Sequence, residues 1–566
     1  MKDMKRKMMM KVKDRVKGSL PFYLFTFLLF HVGHAVAQSP IVITFNGTTA
    51  SVSVPEEITD VTTNVNGANV VINSATTTQE YTYVVSGQSS DGSLTIAGSY
   101  KLTLQLAGLD LTNDHSGAAI DLECGKRCAI ELMEGTVNTL KDATMGSQKG
   151  AFYCKGHPEF QGSGTLNVTG RLKHAIAAKE YVEIKRSTGA INVLGAVGDG
   201  IHCGRGNTDP EKNYFLMEGG VVNIIGVQGD GIDADDYGAI RIEDGRLSIN
   251  IAADGNRGLK ADSTLTISGG HINIAVSGHD CEAMRSCYST TIAGGESNIT
   301  ITGNGSKGIK SKLYETNDAS ATVRGGGFVN ISGGSIDIET LGDHLIDIAL
   351  DDTTKCMGMS IDAGLLQTGG NVMLTAMGPD ATALNVKGTD TRLGGTLQTL
   401  TAPWKLKRQE YEYDMTVYAR IDGISQDGTV LAAFVDDECR GLALPIAAPD
   451  NGESYYQLRV YSNGAQGEVI SFRCYEQDSA TESVLTGTTT FISADIVGMP
   501  GDPLILTTEP QGLKGDVNAD GVVNIADVAA VLNIMAGNST VNGDVNGDGV
   551  VNIADVAAVL NIMAGN

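Results

Sequence analysis

Down the middle of this chain a glycine pair followed by alternating residues recurs, as Gly219-Gly220-Val221-Val222-Asn223-Ile224, Gly269-Gly270-His271-Ile272-Asn273-Ile274, Gly294-Gly295-Glu296-Ser297-Asn298-Ile299 and Gly333-Gly334-Ser335-Ile336-Asp337-Ile338. A second block stands near each: Asp199-Gly200-Ile201, Asp230-Gly231-Ile232, Arg257-Gly258-Leu259 and Lys307-Gly308-Ile309. A unit this short cannot bury an apolar face alone, so neighbouring units must stack. Aligning the units yields one apolar column, Ile120, Phe152, Ile176, Ile201, Ile232, Leu259, Met284, Ile309, Ile346 and Leu384, with most steps between 24 and 32 residues. Such steps suit one coil each of a right-handed parallel β-helix, in which alternate residues of a short strand point inward. Two positions on lies a column of small residues, Cys154, Ala178, Cys203, Ala234, Ala261, Ser286 and Ser311, as expected of a tight interior corner.

With 71 glycines and 5% aromatic residues, the chain up to its tail lacks helix-period patterning and reads as mainly β. The stretch from about Ile41 to Leu400 resembles the calcium-associated, cellulose- and acidic-sugar-binding β-helix proteins. The resemblance rests on Leu102–Leu109, Gly117–Ile120, Gly162–Gly170 and the Gly-Asp-Gly-Ile turns at 198–201 and 229–232. It implies a pectate-lyase-like solenoid that binds polysaccharide.

Acidic residues gather at the turns of this region: Asp199, Asp230, Asp233, Asp235, Asp236, Asp254, Asp262 and Asp280. Carboxylates stacked about 5 Å apart on neighbouring coils repel unless a cation lies between them, which makes Asp199, Asp230, Asp233, Asp235 and Asp254 candidate calcium or ligand residues. Asp-Gly is also ordinary turn chemistry, with the carboxylate capping backbone amides. Arg257, Lys260, Arg285, Lys310 and Lys312 occupy comparable turns and are candidate glycan contacts. In the alternative reading, a calcium-dependent pectate-type lyase, one of them is the base that removes the proton beside a uronate carboxylate. With Trp404 the sole tryptophan, sugar stacking falls to Tyr237, Tyr288 and Tyr314. His202, His271, His279 and His344 form no metal pattern and read as solvated. No catalytic residue is assigned.

After Leu400 alternating strands such as Tyr413–Arg420 and Tyr456–Tyr461 indicate a small β-sandwich over 401–509. The stretch Ala433–Gly441 resembles a module found near the C-termini of proteins secreted by polysaccharide-degrading anaerobes. It reads as a spacer or a second binding face.

The tail repeats itself: Gly515–Asn538 and Gly543–Asn566 differ only at Ala519 against Gly547. Each copy opens with D-x-N-x-D-G-x-x-N-x-x-D, placing hard oxygens where calcium needs them: Asp516, Asn518, Asp520, Val522 (by its carbonyl) and Asp527, then Asp544, Asn546, Asp548, Val550 and Asp555. Asn524 and Asn552, at the ninth position, act through a water. Helices are expected over Asp527–Ala536 and Asp555–Ala564, ended by Gly537 and Gly565. Loop plus helix, twice over, resembles a type I dockerin, which implies calcium as cofactor, a small all-α module over 510–566 and a cohesin-type protein as partner. Ile525-Ala526 and Ile553-Ala554 stand where such modules often carry Ser or Thr, with packing inside the module as the alternative.

The N-terminus carries eight Lys/Arg within residues 1–17, an apolar run over Leu20–Val32 and small residues Ala35-Val36-Ala37, the pattern of a signal peptide over 1–37. Its removal takes the net charge from −25 to −31. So acidic a surface suits neither nucleic acid nor anionic membrane, and no later stretch has the length of a membrane helix. The expected product is secreted or cell-surface associated, with 38–400 as its β-helix. A structural or adhesive surface protein is the further alternative. Nine cysteines in an exported chain suggest disulfides, with Cys124–Cys128, Cys281–Cys287 and Cys439–Cys474 the pairs to test and Cys154 and Cys203 read as buried thiols.

Overall fold

The computed structural model describes residues 38–204, 212–318, 321–347, 352–378, 380–404, 406, 410–426, 428–447, 454–508, 514–537 and 543–564. The proposed signal peptide, Gly565 and the side chain of Tyr314 lie outside the described residues. The protein is mainly β, with two helices among the described residues, Ile525–Met535 and Ile553–Met563.

From Ile41 to Thr401 the chain builds two large sheets in which nearly all pairing is parallel between successive repeats. Strand Leu102–Thr112 splits the larger sheet into two ladders: its first half pairs with Arg127–Leu132 and its second with Val137–Lys141. The two ladders climb side by side and rejoin in Ser289–Ile301, whose first residues pair with Thr264–Ile267 and last with His271–Val276. A third ladder runs through Ile120–Cys124, Gly150–Cys154, His174–Ala178, Ile201–Cys203, Ile232–Ala234, Arg257–Ala261, Glu282–Ser286 and Lys307–Ser311 to Met357–Ile361 and Thr382–Val386. Antiparallel exceptions sit at the start, where Ile41–Asn46 pairs with Thr49–Ser53 and Val61–Asn66 with Asn69–Ser74.

The apolar column is the third ladder's register. Ile120 to Ile309 pair one above the next and are buried, and one core joins all three ladders. One member fails. Ile346 belongs to a side hairpin with Asp352–Thr354 and is 66% exposed, while Met359 sits between Ile309 and Leu384. Insertions lengthen that step, and spacing alone then selects the wrong apolar residue. The small-residue column holds throughout, from Cys154 against Ala178 to Ser286 against Ser311. The repeated glycine pairs have a steric cause: the second glycine of each, Gly220, Gly270, Gly295 and Gly334, has φ of +77, +83, +78 and +80°, where a side chain is strained.

Beyond Thr401 the expected β-sandwich is instead one mixed nine-stranded sheet, with parallel pairing of Tyr413–Asp422 to Leu504–Thr508. Its ends approach one another, since a Cβ on Gly441 would meet the Arg459 carbonyl at 2.4 Å. Alternation within a strand dictates one buried face but not whether the sheet folds over another or curls on itself. Met377, from the repeat region, shares an apolar cluster with Trp404, Val430 and Phe434 of this sheet.

All nine cysteines are free thiols, eight of them buried, including Cys154 and Cys203 as expected. The three proposed disulfides are not formed. Cys124, Cys128, Cys439 and Cys474 serve as small apolar packing groups in strands, with Cys128 stacked on Leu102 in a parallel ladder, while Cys281 and Cys287 flank the strand Glu282–Ser286.

Candidate functional site

Residues flanking the buried columns of the third ladder form a polar face. Residues one position after the apolar column pair rung to rung as His202, Asp233, Lys260, Arg285 and Lys310. Asp199 and Asp230 start their rungs, and the stacking that threatened repulsion is resolved by the backbone. The Asp230 amide donates to Asp199 Oδ1 at 2.8 Å, and the Arg257 amide to Asp230 Oδ1 at 2.7 Å. The turn chemistry of Asp-Gly therefore operates, one rung out of step.

Four of the five proposed wall carboxylates come together. Asp199, Asp230 and Asp233 approach closely enough to share a cation, as do His202, Asp233 and Asp235. Asp254 does not join them; it is exposed and accepts the His279 amide at 2.8 Å. His202 corrects the reading of the histidines, for it is 5% exposed and its Nδ1 lies 3.0 Å from Asp199 Oδ2 and 3.2 Å from Asp233 Oδ2. His174, unremarked in the sequence, stacks on His202 with ring centroids 4.4 Å apart. The signal was present as a column: His174 and Asp199 occupy corresponding turns one repeat apart.

Among the basic candidates, Lys260 joins the acids, with Nζ 2.9 Å from Asp233 Oδ1, 3.9 Å from Asp230 Oδ2 and 4.0 Å from Asp235 Oδ1. Arg257 and Arg285 both turn to Glu282, at 3.2 and 3.3 Å, and Lys310 to Asp362 at 2.8 Å. Lys312 is exposed. Burial and the neighbouring Asp233 and Asp199 charges push the Asp230 carboxyl up to about 6. Burial and the adjoining Asp235 do the same to Asp262, also to about 6. Burial opposes charge on Lys260 and on His202, yet their carboxylate partners prevail: Lys260 is raised, and His202 is held up at about 9. Beside the cluster Asp236 and Tyr237 take consecutive left-handed conformations, φ +52 and +66°, and Tyr237 and Tyr288 are 47% and 57% exposed. Backbone held there by its surroundings is a common mark of a binding corner.

In the tail the side-chain oxygens turn into their own loops. Asp516 accepts the amides of Asp520 and Gly521 at 3.1 and 2.7 Å, Asn518 that of Asp520 at 3.0 Å, and Asp520 that of Val522 at 3.0 Å. Asp527, with no exposed surface, accepts from Asn518 and Asn524 at 3.0 and 2.8 Å. Asp544, Asn546, Asp548 and Asp555 repeat the pattern. Asn524 and Asn552 are the helix N-caps, so each helix starts two residues earlier than expected. A one-loop set of carboxylate, amide and carbonyl oxygens fits a hard cation such as calcium. Val531 and Val559 bury the helices against one another, while Ile525 and Ile553 are 65% and 66% exposed and do not pack inside the module.

A family model described as "Carbohydrate-binding domain-containing protein" matches residues 66–343, and the type I dockerin domain model matches residues 514–564. No curated protein sequence matches. Among solved structures, a polysaccharide lyase-like protein from C. thermocellum, as its gadolinium derivative, aligns at 17% identity with a TM-score of 0.26, covering 64% of this chain and 97% of that one. No helix among the described residues is long and apolar enough to cross a membrane.

Proposed function

We propose that this chain is an exported carbohydrate-binding protein that docks, through its tail, to a cohesin-type partner. Its three ladders are read as the faces of one right-handed parallel β-helix over 38–400, the hand that parallel crossovers almost always take. Residues 401–509 act as the spacer and 510–566 as linker and dockerin-like module.

The observation that carries the glycan reading is the convergence of Asp199, Asp230, Asp233, Asp235 and Lys260 next to the exposed Tyr237, with the exposed Tyr288 two rungs on. Carboxylates in excess over neighbouring cations favour a bound calcium, and calcium bridges readily to the carboxylates of an acidic polysaccharide, reconciling a very acidic protein with an acidic ligand. Binding is preferred over lysis because Lys260, the candidate base nearest these acids, is held protonated by Asp233, and a base needs an open lone pair. In the tail, Asp516, Asn518, Asp520, Val522 and Asp527, and their counterparts Asp544, Asn546, Asp548, Val550 and Asp555, would hold calcium, and the exposed Ile525 and Ile553 mark the docking faces.

The test is affinity electrophoresis of the full secreted chain in polygalacturonate with and without calcium, following ultraviolet absorbance in the same samples. Calcium-dependent retardation with flat absorbance is expected. Rising absorbance abolished in Lys260→Met would establish a lyase instead, and absence of both signals would overturn the acidic-glycan reading.

A further inference from the structure

Two imidazoles distinguish one end of the polar face from the all-oxygen loops of the tail. His174 Nδ1 and His202 Nδ1 each lie 3.0 Å from Asp199 Oδ2, and Asp233 Oδ2 lies 3.2 Å from His202 Nδ1. The side chains of His174, Asp199, His202 and Asp233 are only 3, 13, 7 and 7% exposed. Metal bonds of about 2.0–2.2 Å in a tetrahedron place donor atoms roughly 3.3–3.5 Å apart, close to the separations already present.

The proton arrangement is unsatisfactory as it stands. The Asp199 amide donates to His174 Nδ1 at 3.0 Å, so that nitrogen has no proton to offer Asp199 Oδ2, and acceptor faces acceptor. The proton then sits on His174 Nε2, which is buried and has no hydrogen-bond partner. The observation that calls for a cation is the opposition itself: two buried lone pairs, on His174 Nδ1 and Asp199 Oδ2, face each other at 3.0 Å.

We propose that His174, Asp199 and His202 form a site for a d-block divalent cation of the zinc class. Imidazole nitrogens are ordinary ligands for such ions and poor ones for calcium, whose preferred set here is the oxygen-only group Asp199, Asp230 and Asp233. On binding, the proton that His202 Nδ1 shares between Asp199 and Asp233 leaves to solvent, and at His174 the metal bond replaces the amide hydrogen bond. No oxidation or group transfer is involved. The site needs no sugar, and although it shares Asp199 with the oxygen-only set, its imidazoles distinguish it from a calcium site.

The experiment uses the full secreted chain, stripped with chelator and kept free of calcium while cobalt(II) is titrated in, because Asp199 is common to this site and the oxygen-only set. The visible spectrum is recorded, followed by competition with zinc and separately with calcium and, in weak buffer, measurement of proton release. The expected result is saturable d–d absorption of a nitrogen–oxygen site, displaced by zinc but not by calcium, with release of a proton. His174→Gln and His202→Gln should each weaken binding by on the order of 100-fold or more, while His271→Gln, a change at an exposed histidine, leaves it intact. Should either variant fail to fold, Asp199→Asn, checked by its melting curve, carries the same expectation. Absence of the bands, their survival in the folded variants, or their displacement by calcium would overturn the proposal, whatever the outcome on polygalacturonate.

Discussion

Asp121 gives the sharpest stability test of the polar face. It lies on the third ladder below Tyr153 and is 7% exposed; its Oδ2 accepts from Gln148 at 3.0 Å, and its Oδ1 is buried without a partner. Burial first, then the neighbouring Glu123, pushes this carboxyl up to about 6 from an ordinary 3.8. The folded chain therefore binds the proton more tightly than the unfolded chain. Stability falls as pH rises from about 4 to about 6, and above that the deficit is complete at roughly 3 kcal/mol, two pKa units at 1.36 kcal/mol each. Asn at this position does not titrate, so any fixed cost of burying its amide cancels across pH. The free energy of opening in Asp121→Asn should thus gain on the parent by about 3 kcal/mol between pH 4 and 7. Hydrogen exchange read by mass spectrometry on peptides covering Ile120–Cys124 and Gly150–Cys154 measures that gain, since intrinsic exchange rates are common to both proteins. A difference that stays flat with pH, or shrinks as pH rises, would refute the assignment of a buried, poorly solvated carboxylate.

Three further outcomes are expected. Met359→Ala should cost about 2–5 kcal/mol in denaturant unfolding, while Ile346→Ala changes stability by less than about 0.5 kcal/mol, because only the first side chain is buried. Alkylation of the native protein should modify Cys287 alone, the one thiol not fully buried, and all nine after denaturation without reductant; intact mass would reveal any disulfide that contradicts this. Asp527→Ala removes the acceptor for the Asn518 and Asn524 amides and should speed amide exchange in Ile525–Met535 by at least about tenfold, leaving Ile553–Met563 as the internal reference.

Much of this architecture was legible because a stacked repeat writes its contacts in sequence order. Ile201 meets Ile232 and Cys203 meets Ala234 at a constant offset, so aligning the units is already aligning neighbours in space. Where an insertion breaks the offset, as between Ile309 and Met359, the same logic selects Ile346 and fails. The calcium-type loops were equally readable, since every ligand candidate lies within one short segment whose backbone geometry the motif dictates. Asn524, read from its ninth loop position as acting through a water, has the second task of capping the next helix.

Sequence by itself determined the repeat, its apolar and small-residue columns, the left-handed glycine turns and the paired loops of the tail, all of which arise from local sterics or a fixed period. Tertiary structure alone decided that His174 and His202 stack beside Asp199, that Lys260 and, more loosely, Arg257 but not Arg285 or Lys310 join the acids, and that the cysteines remain unpaired thiols. Those outcomes depend on which side chains on different rungs reach one another and how deeply they are buried. It also decided that the sheet beyond Thr401 curls on itself, because alternating polarity specifies a buried face and leaves open what covers it.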